Sequence, residues 1–258
     1  AYEIVDCDWS SDVCSSDLAD EARALLARQL RGRRGEFDLL QEHVGLCHAL
    51  AQALADALRA DTERDPETAR ALAARAKTWE RQADHLLMNA RALVQRQPRW
   101  QPLLALLQHA DDVADALEEA AFVLGLVAEH FGQGRKPRGG WSPAVRTALQ
   151  DLADTVLAAA QDQVRALAVA ATLDETSRRA DHDDFLSASW RVLRAERRCD
   201  ELLRGCRRAL AAEWRERGDA VAYALGNELA AALEVSSDAL LALGHGLRER
   251  AFQRIDTP

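Results

Sequence analysis

Apolar residues between Phe37 and Leu58 return at spacings of three and four: Phe37, Leu40, Val44, Cys47, Leu50, Leu54 and Leu58 fall on one face of a 3.6-residue spiral. That pattern predicts a helix over about Glu36–Ala60. Asp65-Pro66 supplies a capping side chain and a first-turn proline, so a second helix is expected from there to about Gln95, where Pro98 and Pro102 interrupt. A third spans about Leu103–Phe131. The stretch Gly132–Gly140 is rich in Gly and Pro, has no apolar period and reads as a linker. Ser142-Pro143 reopens the chain with a second cap and proline. A fourth helix to about Ala171, a polar break over Asp174–Asp184, a fifth helix over about Phe185–Arg217 and a sixth after Gly218 complete the series. The expected cores hold Leu40, Val44, Leu54, Leu86, Leu87, Leu106, Leu117, Leu202, Leu203, Leu233 and Leu240.

The second three helices repeat the first three. Glu80-Arg-Gln-Ala-Asp84-His-Leu-Leu87 matches Glu196-Arg-Arg-Cys-Asp200-Glu-Leu-Leu203, with Arg91 and Arg207 in the same register; Asp111 to Leu117 matches Glu234 to Leu240. The offsets, 116 residues from Glu80 to Glu196 and 123 from Asp111 to Glu234, differ by what a loop absorbs. A duplicated unit is the simplest account. The fold expected is therefore all-α, six long helices in two tandem antiparallel three-helix bundles, residues 19–131 and 143–258, joined by the basic segment 132–142.

Composition agrees and then trims the picture. Aromatics are 5% of the chain and hydrophobic residues 48%, with Ala, Leu, Arg and Glu prominent, the makeup of packed helices. The first 18 residues fit poorly. Asp8 to Leu18 reads DWSSDVCSSDL, which a common sequencing-adapter oligonucleotide would encode, and AYEI at the start fits the same source. These residues are expected to be foreign to the protein, with the native start near Ala19. They contain five acids and no base, so without them 37 acids face 33 basic residues and the net charge moves from −9 to −4. Mild acidity argues against a general nucleic-acid surface. Cys47, Cys199 and Cys206 then remain, at spacings of neither a zinc ribbon nor a disulfide framework, so a reducing, cytoplasmic setting is expected. No apolar run is long enough to span a membrane.

The acidic pairs carry the chemistry. Glu80/Asp84, Asp111/Asp115, Glu196/Asp200 and Glu234/Asp238 are each four residues apart. Four residues advance a helix by about 400° and 6 Å, so each pair shares a face. Two such helices side by side would present four carboxylates to one locus, suited to a hard or borderline cation. With 42 acids in 258 residues, roughly seven such pairs arise by chance, mostly as solvated charge. Asp38/Glu42 and Asp115/Glu119 are read that way. Equivalent placement in both halves sets the four apart, while solvent charge or arginine pairing remains the competing reading.

This signature, repeated on the second and third helices of two three-helix units, resembles the PhoU family. The first helix, from Phe37-Asp-Leu-Leu-Gln-Glu-His43, looks closer to the PhoU-related branch that accompanies Pit-type phosphate transporters. The resemblance covers about Phe37 to Phe252. It implies a non-catalytic, cytoplasmic regulator of inorganic phosphate transport. It also implies metal ligands at Glu80, Asp84, Asp111 and Asp115 in the first bundle, and at Glu196, Asp200, Glu234 and Asp238 in the second. The metal would be divalent, iron first, with zinc, manganese or magnesium as alternatives. The partner would be a Pit-type permease, or an ABC-type phosphate transporter with its sensor kinase. Self-association stays open, and membrane contact would come only through the partner. The second half has Glu234 for Asp111 and no acid matching Asp112, which implies a weaker or mononuclear second site.

Two readings compete. A ferritin-like di-metal oxidoreductase would need Glu-x-x-His on two helices, and none of the seven histidines has Glu three residues before it. A structural helical adaptor without metal would carry the acids as solvated charge. His85, beside Asp84, is expected to be a satisfied surface histidine, and the basic run Arg135–Arg138 a solvated linker. No Gly-rich phosphate loop is present.

Overall fold

A computed structural model describes residues 36–132, 139–173 and 177–255. Six helices carry most of them: α1 (Glu36–Arg59), α2 (Pro66–Arg96), α3 (Gln101–Gly132), α4 (Pro143–Ala170), α5 (Arg179–Arg217) and α6 (Ala220–Ile255). No strand occurs among the described residues. The adapter-like residues 1–18 and the basic run Arg135–Arg138 lie outside them.

Local chemistry sets the boundaries. Asp65 accepts from the backbone N–H groups of Glu67 and Thr68, with Pro66 in the first turn of α2. Ser142 caps α4 through the N–H of Val145 at 3.4 Å. Gly218, at φ 71°, ends α5 in the left-handed region that favours glycine, its N–H returned to the Trp214 carbonyl. Two starts differ from expectation. Pro102 lies inside the first turn of α3, where its missing N–H costs nothing, and Pro98 opens a short 3-10 turn, Pro98–Trp100. The fifth helix begins at Arg179, one and a half turns before Phe185. Those extra residues have no apolar period to reveal them, but Asp181 accepts from the Arg178 N–H at 3.1 Å and suits a helix N-terminus.

The helices alternate in direction. Phe37 on α1, Leu86 and Leu87 on α2, Leu103 and Leu107 on α3, Leu167 on α4, Phe185 on α5 and Leu247 on α6 share one end. Leu58, Phe131, Val145, Leu210 and Ala222 share the core toward the other. Each half is an antiparallel three-helix bundle, and the halves join through α1 against α4 and α3 against α6. Both core clusters draw on both halves, so the apolar interior crosses the duplication. Small residues allow this closeness. A Cβ on Gly246 of α6 would meet Leu106 of α3 at 2.8 Å.

Of the expected core, all are buried except Leu202, which is partly exposed. It borders an open groove that α4 lines with Ala158 and Ala159 beside the polar Asp151, Asp154, Thr155 and Asp162. Trp141 goes the other way. It falls in the segment read as linker, yet it is 2% exposed, edge-on to Phe131 at 5.7 Å, with its indole N–H toward the Ala222 carbonyl. A buried aromatic thus anchors the junction between the halves.

Candidate metal centre

The acids meet because each pair of helices is a hairpin. Counting outward from the Pro98–Trp100 turn brings Glu80 level with Asp115 and Asp84 level with Asp111; the Gly218 turn does the same for Glu196 with Asp238 and Asp200 with Glu234. Two carboxylates one helical turn apart on each partner then face two on the other.

The charges confirm the first meeting. The Asp115 carboxyl is pushed up to about 6, by burial first and then by Asp111, Glu80, Asp84 and Asp112. The four charges that raise it most are all carboxylates. Glu80 is the buried member, at 9% exposure. Its Oε2 is shut off from solvent and makes no aligned hydrogen bond, although the Lys77 ammonium stands 2.9 Å away as an ion pair. Lys77 also reaches Glu118 at 3.8 Å. Beneath the acids α1 contributes His43, fully buried, with Nε2 3.3 Å from Asp111 Oδ1, and Cys47, whose thiol donates to the Ala110 carbonyl at 3.2 Å. Burial and the nearby Asp111 push that thiol far above its usual range.

The second meeting is differently balanced. Glu234 is raised by burial and by Asp238 and Asp200, while the Arg207 guanidinium pulls it down. Arg204 donates to Asp200 Oδ2 at 2.8 Å. The thiol under this cluster is Cys199, pushed up to about 11 by burial first and also by Glu234, Glu196 and Asp238.

All eight sequence-derived residues thus sort into two clusters of four. Asp84, Asp115 and Asp238 are exposed, Asp111, Glu196, Asp200 and Glu234 half-buried. Sequence reasoning missed His43 and Cys47 as neighbours of the first cluster, because they come from a helix without the acidic signature. It also missed Lys77, which lies one turn before Glu80 and was legible as an i,i+3 partner. His85 takes no part, lining instead an open groove of about 720 Å³ between α1 and α2 with Leu46 and Arg81. Asp38, Glu42 and Glu119 are exposed.

Four carboxylates that repel one another, one of them buried and paired with the Lys77 ammonium, have the chemistry to hold a divalent cation. Among the described residues, however, no three His, Cys, Asp or Glu side chains close around one point as metal ligands do. They stand apart, as like charges do.

No protein-family model and no curated protein sequence matches the chain. A solved structure does: the crystal structure of PhoU from Pseudomonas aeruginosa is similar to this chain with a TM-score of 0.58 at 17% identity, over 86% of this chain and 96% of that one. The likeness establishes a PhoU-like fold.

Proposed function

We propose that this chain is a non-catalytic accessory protein that regulates inorganic phosphate uptake, binding divalent metal and acting by contact with a phosphate transporter or its signalling complex. The observation that carries the reading is the conjunction of a PhoU-like fold with acidic clusters at equivalent places in both halves. Similarity to PhoU suggests phosphate regulation; the acids suggest the metal. The partner is a Pit-type permease, which the first-helix resemblance favours, or an ABC-type transporter with its sensor kinase. No described helix is long and apolar enough to cross a membrane, which suits a protein that reaches the membrane through a partner in the cytoplasm.

A bound divalent cation supplies the positive charge that offsets the repulsion among the first four carboxylates. Glu80 and Asp84 would hold it from α2 and Asp111 and Asp115 from α3, at a place where Lys77 now pairs with Glu80. Helices tied together this way differ in shape and rigidity from helices whose facing acids repel. A transporter that prefers the tied form reads metal status as a population of that form. Iron is the first candidate, then zinc, manganese or magnesium.

The adaptor reading keeps one specific support: Lys77 on Glu80 and Arg204 on Asp200 already neutralise part of each cluster. Metal analysis divides the two. Protein without residues 1–18, equilibrated with iron, manganese, zinc and magnesium in turn, is expected to retain divalent metal. Protein that retains none is an adaptor. Separately, unchanged phosphate uptake in a deletion strain would remove the regulatory role.

A further inference from the structure

His43 sits where a histidine is costly. It is fully buried on α1, its Nε2 3.3 Å from Asp111 Oδ1 and its Nδ1 3.7 Å from the Cys47 sulfur one turn on. A buried imidazole destabilises a fold unless its nitrogens are matched to partners. A carboxylate oxygen accepts, so the contact with Asp111 Oδ1 assigns the N–H to Nε2. Nδ1 is then an acceptor, and the group beside it is the Cys47 thiol, which burial keeps protonated and able to donate. The thiol can turn between Nδ1 and the Ala110 carbonyl, 3.2 Å away. Cys47, His43 and Asp111 thus form a polar line from the apolar core to the edge of the acidic cluster.

We propose that His43 is the positioning residue of the first cluster: from α1 it holds Asp111 by Oδ1, fixing the orientation of a carboxylate on α3 that would share a divalent cation with the acids of α2. The proposal rests on the metal-binding reading and adds a third helix to the site. Its consequence is a difference between the halves. The second cluster is countered from its own acidic helix instead, by Arg204 on Asp200 and Arg207 near Glu234. His245, on the same helix as Glu234, lines another groove with Trp190 and Phe252. Partners that orient a metal-binding carboxylate or imidazole typically change affinity by about 10–100-fold when lost.

The test uses the whole chain with Asp200→Asn and Asp238→Asn, so that only the first cluster binds, and manganese(II) as the probe, counted by the paramagnetic resonance of the free ion. His43→Leu fills the buried volume without a donor and is expected to weaken manganese binding about 10–100-fold while the metal-free melting temperature holds or rises. His43→Gln, which keeps an N–H at about the reach of Nε2, is expected to stay within about threefold of the parent. Should His43→Leu fail to fold, His43→Asn, whose shorter amide falls short of Asp111, takes its place with the same expectation. If His43→Leu binds like the parent, or if His43→Gln loses as much as His43→Leu, the positioning role is wrong while the metal reading stands. A parent that binds no manganese and, by elemental analysis, retains no iron, zinc or magnesium ends both for the first cluster.

Discussion

The same acidic spacing is neutralised in two ways. In the first half Asp111, Glu80, Asp84 and Asp112 all raise the Asp115 carboxyl, with one lysine holding Glu80 from the side and one buried histidine holding Asp111 from below. In the second half, guanidinium groups stand inside the register: Arg204 lies one turn after Asp200 and binds it, and Arg207 offsets Glu234. Duplication kept the spacing of the acids and the Arg91/Arg207 position, while Met88 stands in the first half in the register of Arg204. An acid cluster that is satisfied by its own arginines has less to gain from a cation than one that is not. The first cluster is therefore the stronger candidate for metal.

The largest expected effect asks whether the halves are separable at all. Trp141→Ala empties the aromatic anchor between them and should cost about 3–5 kcal/mol of stability. Because both core clusters cross the duplication, the chain is expected to unfold in a single calorimetric transition, with the variant's midpoint lowered as one. Two resolved transitions, only one of them shifted, would show that the halves are independent and that their sites must be treated as separate proteins.

Next in size is the metal itself. Asp84→Ala with Asp115→Ala should remove most first-cluster metal, whereas Asp200→Ala with Asp238→Ala should remove much less from the parent total by elemental analysis. Equal losses from the two pairs would erase the asymmetry. A larger loss from the second pair would reverse it.

How much of this could be read from the chain alone follows from where each signal lies. Helix number, the caps at Asp65 and Ser142, and the acids at Glu80, Asp84, Asp111 and Asp115 are local patterns, and period and spacing expose them. The second-half acids, Glu196, Asp200, Glu234 and Asp238, were found because repetition made them visible. What escaped is non-local. Trp141 sits in a Gly- and Pro-rich stretch with no period to mark it as core, and its burial depends on Phe131 and Ala222 from two other helices. His43 is 68 residues from Asp111, and a lone histidine on an apolar face gives no sign of which acid it will meet. The start of α5 at Arg179 was hidden because a solvated first turn has no apolar stripe.

Removing the counter-charges should sharpen the comparison. Lys77→Met leaves Glu80 without its ion pair and is expected to tighten metal binding at the first cluster a few-fold, read by competition with a chelating dye. Arg204→Met should do more for the second cluster, since its guanidinium donates directly to Asp200 and blocks an oxygen a cation would use. If neither change alters affinity, the lysine and arginine do not compete with metal, and the argument for a stronger first site loses its basis.

The smallest effect concerns a buried acid in the connection between α1 and α2. Glu63, in the short Thr62–Arg64 turn between α1 and α2, is 1% exposed, with Oε1 making no hydrogen bond and the guanidinium groups of Arg64 and Arg146 no closer than 3.9 Å. Burial lifts its carboxyl above the ordinary 4.5, and the two arginines only partly counter that. The folded chain therefore binds this proton more readily than the unfolded chain. Its contribution to stability is whole below pH 4.5 and declines as pH rises through the folded value. No acid is buried in this way in the described part of the α4–α5 connection, Ala171–Leu173 and Ser177–Arg178. Glu63→Gln should flatten the dependence of melting temperature on pH above 4.5. The change is expected to be under about 1 kcal/mol, about 2–4 °C for a chain of this size. Glu213→Gln, at the same end of the bundle but on α5, serves as the control: its carboxylate accepts from the Ser142 N–H at 2.9 Å and pairs with Arg217 at 3.2 Å. Its loss should lower stability at neutral pH instead of flattening the profile. Parallel profiles for the parent and Glu63→Gln would mean that the buried acid stays charged at little cost, and that the junction between the halves already supplies what Arg64 and Arg146 leave short.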